Sequence, residues 1–365
     1  MKRIAVLFLV LSLLLSGCSL LPLPTAPTEP TKNTDPTDPT SVTDPTQPTD
    51  PTNPTDPVVY NRHPLTGAVL DQPWSGQNTA VLIDNLRDAA PQCGISKADI
   101  LYEVEAESGI TRFLAVYSDI AKAGVVGPVH STRTAFNSIA VAYDAPLIHC
   151  GGSAFALDAM YDDSEDRIKN WEHIDEMANA AYFYRDVHRQ NQGYAYEHTL
   201  FSTGSLIAQA MRENGLNTPS GNNFGLQFHE SKLPAGKSAT EVKITFKGSK
   251  TSLFRYDAAT CTYKMTQYDK EVIDGNTNKA VEFKNVLAIY TDQRRASDNV
   301  HMFYDTVGSG EGYLAVNGQI IPILWSRESL RSPFIYTLGN GTPLTLAVGN
   351  TYVAMVGTRH PISYQ

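Results

Sequence analysis

Residues 99–117 read DILYEVEAESGITRFLAVY, and the pairing of this stretch decides the fold around it. Taken with a period of two, Tyr102, Val104 and Ala106 line one face of a strand, and Glu103, Glu105 and Glu107 line the other. Ser108-Gly109 fits a two-residue hairpin turn. Regular pairing across that turn sets Arg112 opposite Glu105 and brings Thr111, Phe113, Ala115 and Tyr117 onto the Tyr102 face. The expected product is a β-hairpin in which carboxylates surround one arginine.

Working outward, residues 79–83 form a short apolar strand that ends in the polar pair Asp84-Asn85. Downstream, residues 134–143 predict a helix capped by Ser131 or Thr132, residues 146–149 a strand, and residues 154–161 a helix capped by Ser153. A further helix runs from Thr203 or Ser205 to Asn214 and stops at Gly215. Helix N-termini beside Arg133 and beside Gly151-Gly152-Ser153 have free backbone N–H groups suited to an anion. Ser153 itself reads first as a cap, since no nucleophile elbow surrounds it.

From residue 239 the pattern becomes β-rich. Residues 241–246, 252–257, 262–268, 286–290 and 351–356 read as strands, and Asn317-Gly318 and Asn340-Gly341 as hairpin turns. These predict one curled antiparallel sheet. Its aromatics, among them Tyr290, Trp325 and Tyr336, read as core in preference to a sugar-stacking platform. The fold class is therefore α+β: a mixed α/β module over 58–235, followed by a β-rich antiparallel module over 236–365.

The N-terminus sets the compartment. Lys2 and Arg3 precede an apolar run over 4–15, and Leu15-Ser16-Gly17-Cys18 is similar to the lipobox of a bacterial lipoprotein signal. That resemblance implies lipidation of Cys18 and tethering at the outer face of the cytoplasmic membrane. Residues 19–57 hold half of the chain's 22 prolines in a Thr-Xaa-Pro repeat. Such density forbids a core and favours polyproline II, a stalk that reaches on the order of 100 Å when extended.

The chain's net charge of −9, without a basic stripe, argues against a nucleic-acid partner. Cys93, Cys150 and Cys261 lie beyond the lipobox without metal spacing. They permit one disulfide, Cys93 with Cys150 foremost, or three reduced thiols. No histidine pattern matches a metal site, and no motif calls for a cofactor.

The segments VLIDN (81–85), PQCGI (91–95), ADILYEV (98–104), ESGITRF (107–113), GPVHSTR (127–133) and HCGGS (149–153) together resemble the YerB-like lipoproteins. That family has an N-terminal and a C-terminal module, both of unknown function. The resemblance implies Glu103, Glu107, Thr111, Arg112, Arg133, His149, Gly151, Gly152, Arg185 and His198 as its polar motif positions. With Ser153, these are the ligand-binding candidates.

Two functions fit. The first is a binding or scaffolding protein holding a cell-wall polymer or an envelope protein in a polar cleft of the first module. The alternative is a hydrolase or transferase acting on an envelope glycan or phosphodiester, with Glu103 or Glu107 as acid or base. Four residues apart on one strand, these two carboxylates have α-carbons about 13 Å apart, which suits neither glycosidase geometry.

Overall fold

The structure is a computed structural model that describes residues 61–161, 172–221, 223–248 and 250–365. The signal segment, Cys18 and the stalk lie outside these residues. The described residues form one compact unit.

Its centre is an 11-stranded mixed sheet. The principal first-half strands are β1 (Thr79–Asp84), β2 (Ile100–Glu107), β3 (Ile110–Tyr117), β4 (Leu147–His149) and β5 (His173–Asp175). The second half supplies β6 (Glu241–Lys247), β7 (Lys250–Asp257), β8 (Thr262–Gln267), β9 (Asn285–Thr291), β10 (Gly308–Val316), β11 (Gln319–Arg327) and β12 (Thr351–Gly357). Across the large sheet the order runs β11-β10-β9-β12-β2-β3-β1-β4-β5. β6, β7 and β8 belong to a separate six-stranded antiparallel sheet.

Two expectations change here. The second half does not form one antiparallel sheet, because β9 pairs in parallel with β12, and β12 in parallel with β2. The physical reason is burial. β9 and β12 are covered on both faces, and strands of that kind carry continuous apolar runs and sit in sheet centres. For the same reason the division at 235 does not separate two bodies, since the β12–β2 pair joins the halves within one sheet.

Strand β2 is buried on both faces too, which its alternation hides. Tyr102, Val104 and Ala106 pack with Leu82, Leu114 and the helix α1 (Thr134–Ala142) in one core layer. Leu101, Phe113 and Ala115 pack on the opposite side, with Phe254, Tyr263 and Met265 of the six-stranded sheet. Three layers result: α1, the large sheet and the smaller sheet.

The hairpin turn falls at Ser108-Gly109, with Gly109 at φ +85°. Its register differs from the expected one. A bulge between Glu105 and Glu107 pairs Val104 with Arg112 and Glu105 with Thr111. One extra residue turns every later side chain to the other face, so Phe113 lies away from Tyr102 and Arg112 away from Glu105.

Helix positions agree with the pattern, but α1 starts at an N-cap, Arg133, that makes no side-chain cap bond; neither Ser131 nor Thr132 caps it. Ser153 Oγ accepts from Ala156 N at 3.3 Å, capping α2 (Ala154–Tyr161). Two further helices are the short α3 (Val187–Asn191) and the longer α4 (Gly204–Glu213), which Thr203 caps. Cys93, Cys150 and Cys261 are free thiols, so no disulfide joins the first two. Burial pushes the Cys93 thiol up to about 11 and the Cys150 thiol up to about 12.

Candidate functional site

Arg112 lies beside the end of β1, where it pairs with Asp84 in register, and the bulge on β2 sets which of that strand's side chains share its face. Around Arg112 and Asp84 a charged centre assembles. Asp84 Oδ2 accepts from His198 Nδ1 at 2.7 Å and lies 3.7 Å from His130 Nε2. Glu107 Oε1 accepts from Arg133 Nε at 2.8 Å and from its Nη2, and lies 3.4 Å from Arg112 Nη2 and 3.8 Å from His301 Nε2. Arg133 Nη1 donates to Thr132 O at 2.6 Å, which fixes the fork.

Burial governs the electrostatics. Arg112 is 5% exposed, and burial, with Arg133 nearby, brings its guanidinium down to about 10. Burial first, and Arg112 second, lower the His130 imidazole to about 4, so it is neutral at pH 7. Arg112 Nε and Nη1 and Glu107 Oε2 make no hydrogen bond among the described residues.

Glu103 and Thr111 belong to a different, closed network. Glu103 is fully buried. Its Oε1 accepts from Thr111 Oγ1 at 2.7 Å and Asn85 Nδ2 at 2.9 Å; its Oε2 accepts from Ser252 Oγ at 2.7 Å and Tyr352 OH at 2.6 Å. Gln267 Nε2 bonds both oxygens, and Lys250 Nζ stands 3.5 Å from Oε1. These contacts tie β2 to β7, β8 and β12.

The side chains of His149 and Arg185 bond elsewhere, while Gly151 and Gly152 meet the backbone of Thr132 at the edge of the charged centre. His149 is fully buried, its Nδ1 against Gly151 O at 2.8 Å and its Nε2 against His173 Nδ1 at 3.0 Å. Gly151 takes φ +59°, and Gly152 bridges to Thr132. Arg185 stacks over the Tyr196 ring at 3.9 Å and donates to Tyr196 O. Among the described residues no group of three metal-ligating side chains converges.

Beside the charged centre opens a groove of about 820 Å³. Segments 85–92 and 192–198 form one wall and segment 267–273 the other; His198 belongs to both groove and charged centre. Arg189 of α3, 6% exposed, holds the first wall together. Its Nη1 donates to Ala89 O at 2.8 Å and His198 O at 3.3 Å, its Nη2 donates to Pro91 O, and its guanidinium lies over the Tyr194 and Phe201 rings. On the second wall, Tyr268 is held at φ +50°, a left-handed conformation unusual for an aromatic residue.

Residues 65–217 match the family "Protein of unknown function (DUF3048) N-terminal domain", and residues 242–353 match the corresponding C-terminal domain. A protein provisionally named lipoprotein YerB, from Bacillus subtilis (strain 168), is 26% identical over 297 residues, which cover 80% of this chain and 85% of that protein. The chain belongs to the YerB-like lipoprotein family. The crystal structure of the YerB protein from Bacillus subtilis has the same fold, at a TM-score of 0.70 and 23% identity, covering 83% of this chain and 99% of the YerB chain. The name of that relative describes a lipoprotein, and both matching family segments are described as domains of unknown function. The two YerB-like family segments, distinct in sequence, share one sheet in this structure.

Sequence reasoning did not single out Asp84, Gln92, Tyr194, Gln267, Tyr268 or His301 as site residues. Only Asp84, a polar residue ending an apolar strand, left a usable trace. Gln267, Tyr268 and His301 lie more than a hundred residues from the motifs they join, and no local pattern marks them.

Proposed function

We propose that the protein is a lipid-anchored binding protein of the bacterial envelope. Lipidated Cys18 tethers it at the outer face of the cytoplasmic membrane, and the stalk over 19–57 lifts the body toward its ligand, a cell-wall polymer or envelope protein. The groove between 85–92, 192–198 and 267–273 is the ligand site. One observation carries this reading: the groove is preset, its first wall fixed by the buried Arg189 and its volume of about 820 Å³ within the range of ligand clefts. Preset walls lower the ordering cost of binding.

Sedimentation of the full chain with purified bacterial cell-wall material tests it. The wild type should pellet with the walls. Tyr268→Asn, which suits the left-handed turn and removes the ring, should stay in the supernatant, while Val69→Ser, outside the groove, should behave as wild type. Equal pelleting of all three would exclude the groove.

A second reading has one specific support. Asp84 holds His198 through Nδ1 at 2.7 Å, so that Nε2 of the neutral ring faces the groove, the arrangement of a general base. Cell walls incubated with wild type and with His198→Gln should then differ in soluble product; equal release removes the hydrolase.

A further inference from the structure

The hydrogen-bonding chemistry of the groove's floor is lopsided. Asn85 and Gln267 line it, and both direct their amide nitrogens at the Glu103 carboxylate. A carboxylate only accepts, so the orientation of these two amides is chemically forced. Asn85 Nδ2 also donates to Thr111 Oγ1 at 2.9 Å, and Gln267 Nε2 to Ser252 Oγ at 2.8 Å, which uses both hydrogens of each. Gln92 commits one Nε2 hydrogen to Asp84 O at 3.0 Å. The phenols follow the same rule: Tyr194 OH donates to Ala90 O at 3.0 Å and Tyr268 OH to Asn85 O at 3.4 Å.

What is left for a ligand on the floor is chiefly a set of acceptors, the donors of Arg87, Gln192 and Lys270 lying elsewhere on the lining. No described residue donates to Asn85 Oδ1, Gln92 Oε1 or Gln267 Oε1. With Nδ1–H bound to Asp84, His198 Nε2 is a fourth acceptor in the neutral imidazole. The carboxylates of Asp88 and Glu271 add acceptors at the exposed rim, where Arg87 and Lys270 balance their charge. Tyr194 and Tyr268 contribute rings from opposite walls.

Acceptors on the floor, charge balance at the rim and aromatic walls suit a ligand that is rich in hydroxyl donors, has apolar ring faces and carries no strong charge. We infer that the groove binds a neutral glycan chain: sugar hydroxyls donate to the amide oxygens, and a sugar face packs on Tyr268. An anionic polymer would face unpaired acceptors and lose affinity. This inference rests on the groove being the ligand site, and it names the class of ligand.

Calorimetric titration of the full chain in detergent micelles tests it. The probes are neutral tetrasaccharides of glucose, mannose and N-acetylglucosamine, with citrate and an oligophosphate as anionic probes. At least one neutral tetrasaccharide should bind saturably, the anions at least tenfold more weakly, and Tyr268→Asn should lose tenfold or more with its thermal midpoint retained. Preferred binding of an anion, or sugar binding indifferent to Tyr268→Asn, would overturn the inference. If no sugar binds while the wild type still pellets with cell walls, the glycan assignment fails and the groove stands. If neither occurs, both fall.

Discussion

Glu103 shows how a residue of apparent chemical promise becomes structural. Its alternation with Glu105 and Glu107 placed it on a polar face, yet the face it occupies is covered by the second sheet, and Lys250 and five donors meet it there. A buried carboxylate so surrounded is costly to alter, because each donor it leaves is stranded away from water. Glu103→Gln places an amide nitrogen among donors and should destabilise the fold by about 3–5 kcal/mol, measured by urea unfolding. Combining it with Lys250→Met should recover part of the loss, since no lone ammonium then remains. A cost below about 1 kcal/mol would mean the network is not holding the sheets together.

His130 gives the pH dependence. Its folded-state value of about 4 lies below the ordinary 6.5, so the unfolded chain binds the proton first as pH falls. Stability contributed by neutral His130 is complete above pH 6.5 and is lost as pH drops toward 4. Asp84, Glu107, Arg112 and Arg133 face the imidazole, and the two guanidiniums oppose its protonation. The loss amounts to about 3 kcal/mol at most. Thermal melts between pH 7 and 4 should show it, and His130→Asn should flatten the curve. An unchanged slope in that variant would assign the acid loss to other histidines, of which His149 is also lowered by burial.

At the scale of elements, the hairpin was legible in position and turn but not in register. Glycine at Ser108-Gly109 marks a tight turn, whereas nothing in Glu105-Ala106-Glu107 announces a bulge, since bulging is decided by what the strand packs against on both faces. The consequence reaches the site, because the bulge turns Arg112 away from Glu105 and pairs it across from Val104. Arg189 was unreadable for another reason: its partners are backbone carbonyls, which have no sequence signature. Arg189→Lys keeps the charge but cannot hold Ala89, Pro91 and His198 carbonyls together. It should cost about 1–3 kcal/mol in thermal or urea unfolding and weaken cell-wall pelleting beyond what the stability loss explains. Wild-type pelleting in this variant would show that the wall does not need its clamp.

On the whole-molecule scale, the α+β class and most strand positions could be read from periodicity, while the joining of the two halves could not. Parallel pairing of β12 with β2 brings together segments some 250 residues apart, and no local pattern encodes so distant a neighbour. One shared sheet predicts one cooperative unit. Urea unfolding followed by intrinsic fluorescence and by far-UV circular dichroism should give coincident single transitions. Two separated transitions would restore the division near residue 235.

The groove lies where those halves meet, so its occupation can be seen without knowing the ligand. Amide hydrogen exchange of the full chain, with and without purified cell-wall material, measures this directly. Protection should rise in 86–92, 192–198 and 268–273 and stay level over 335–347. Protection confined to other segments, or none at all, would show that the groove is not where this protein binds.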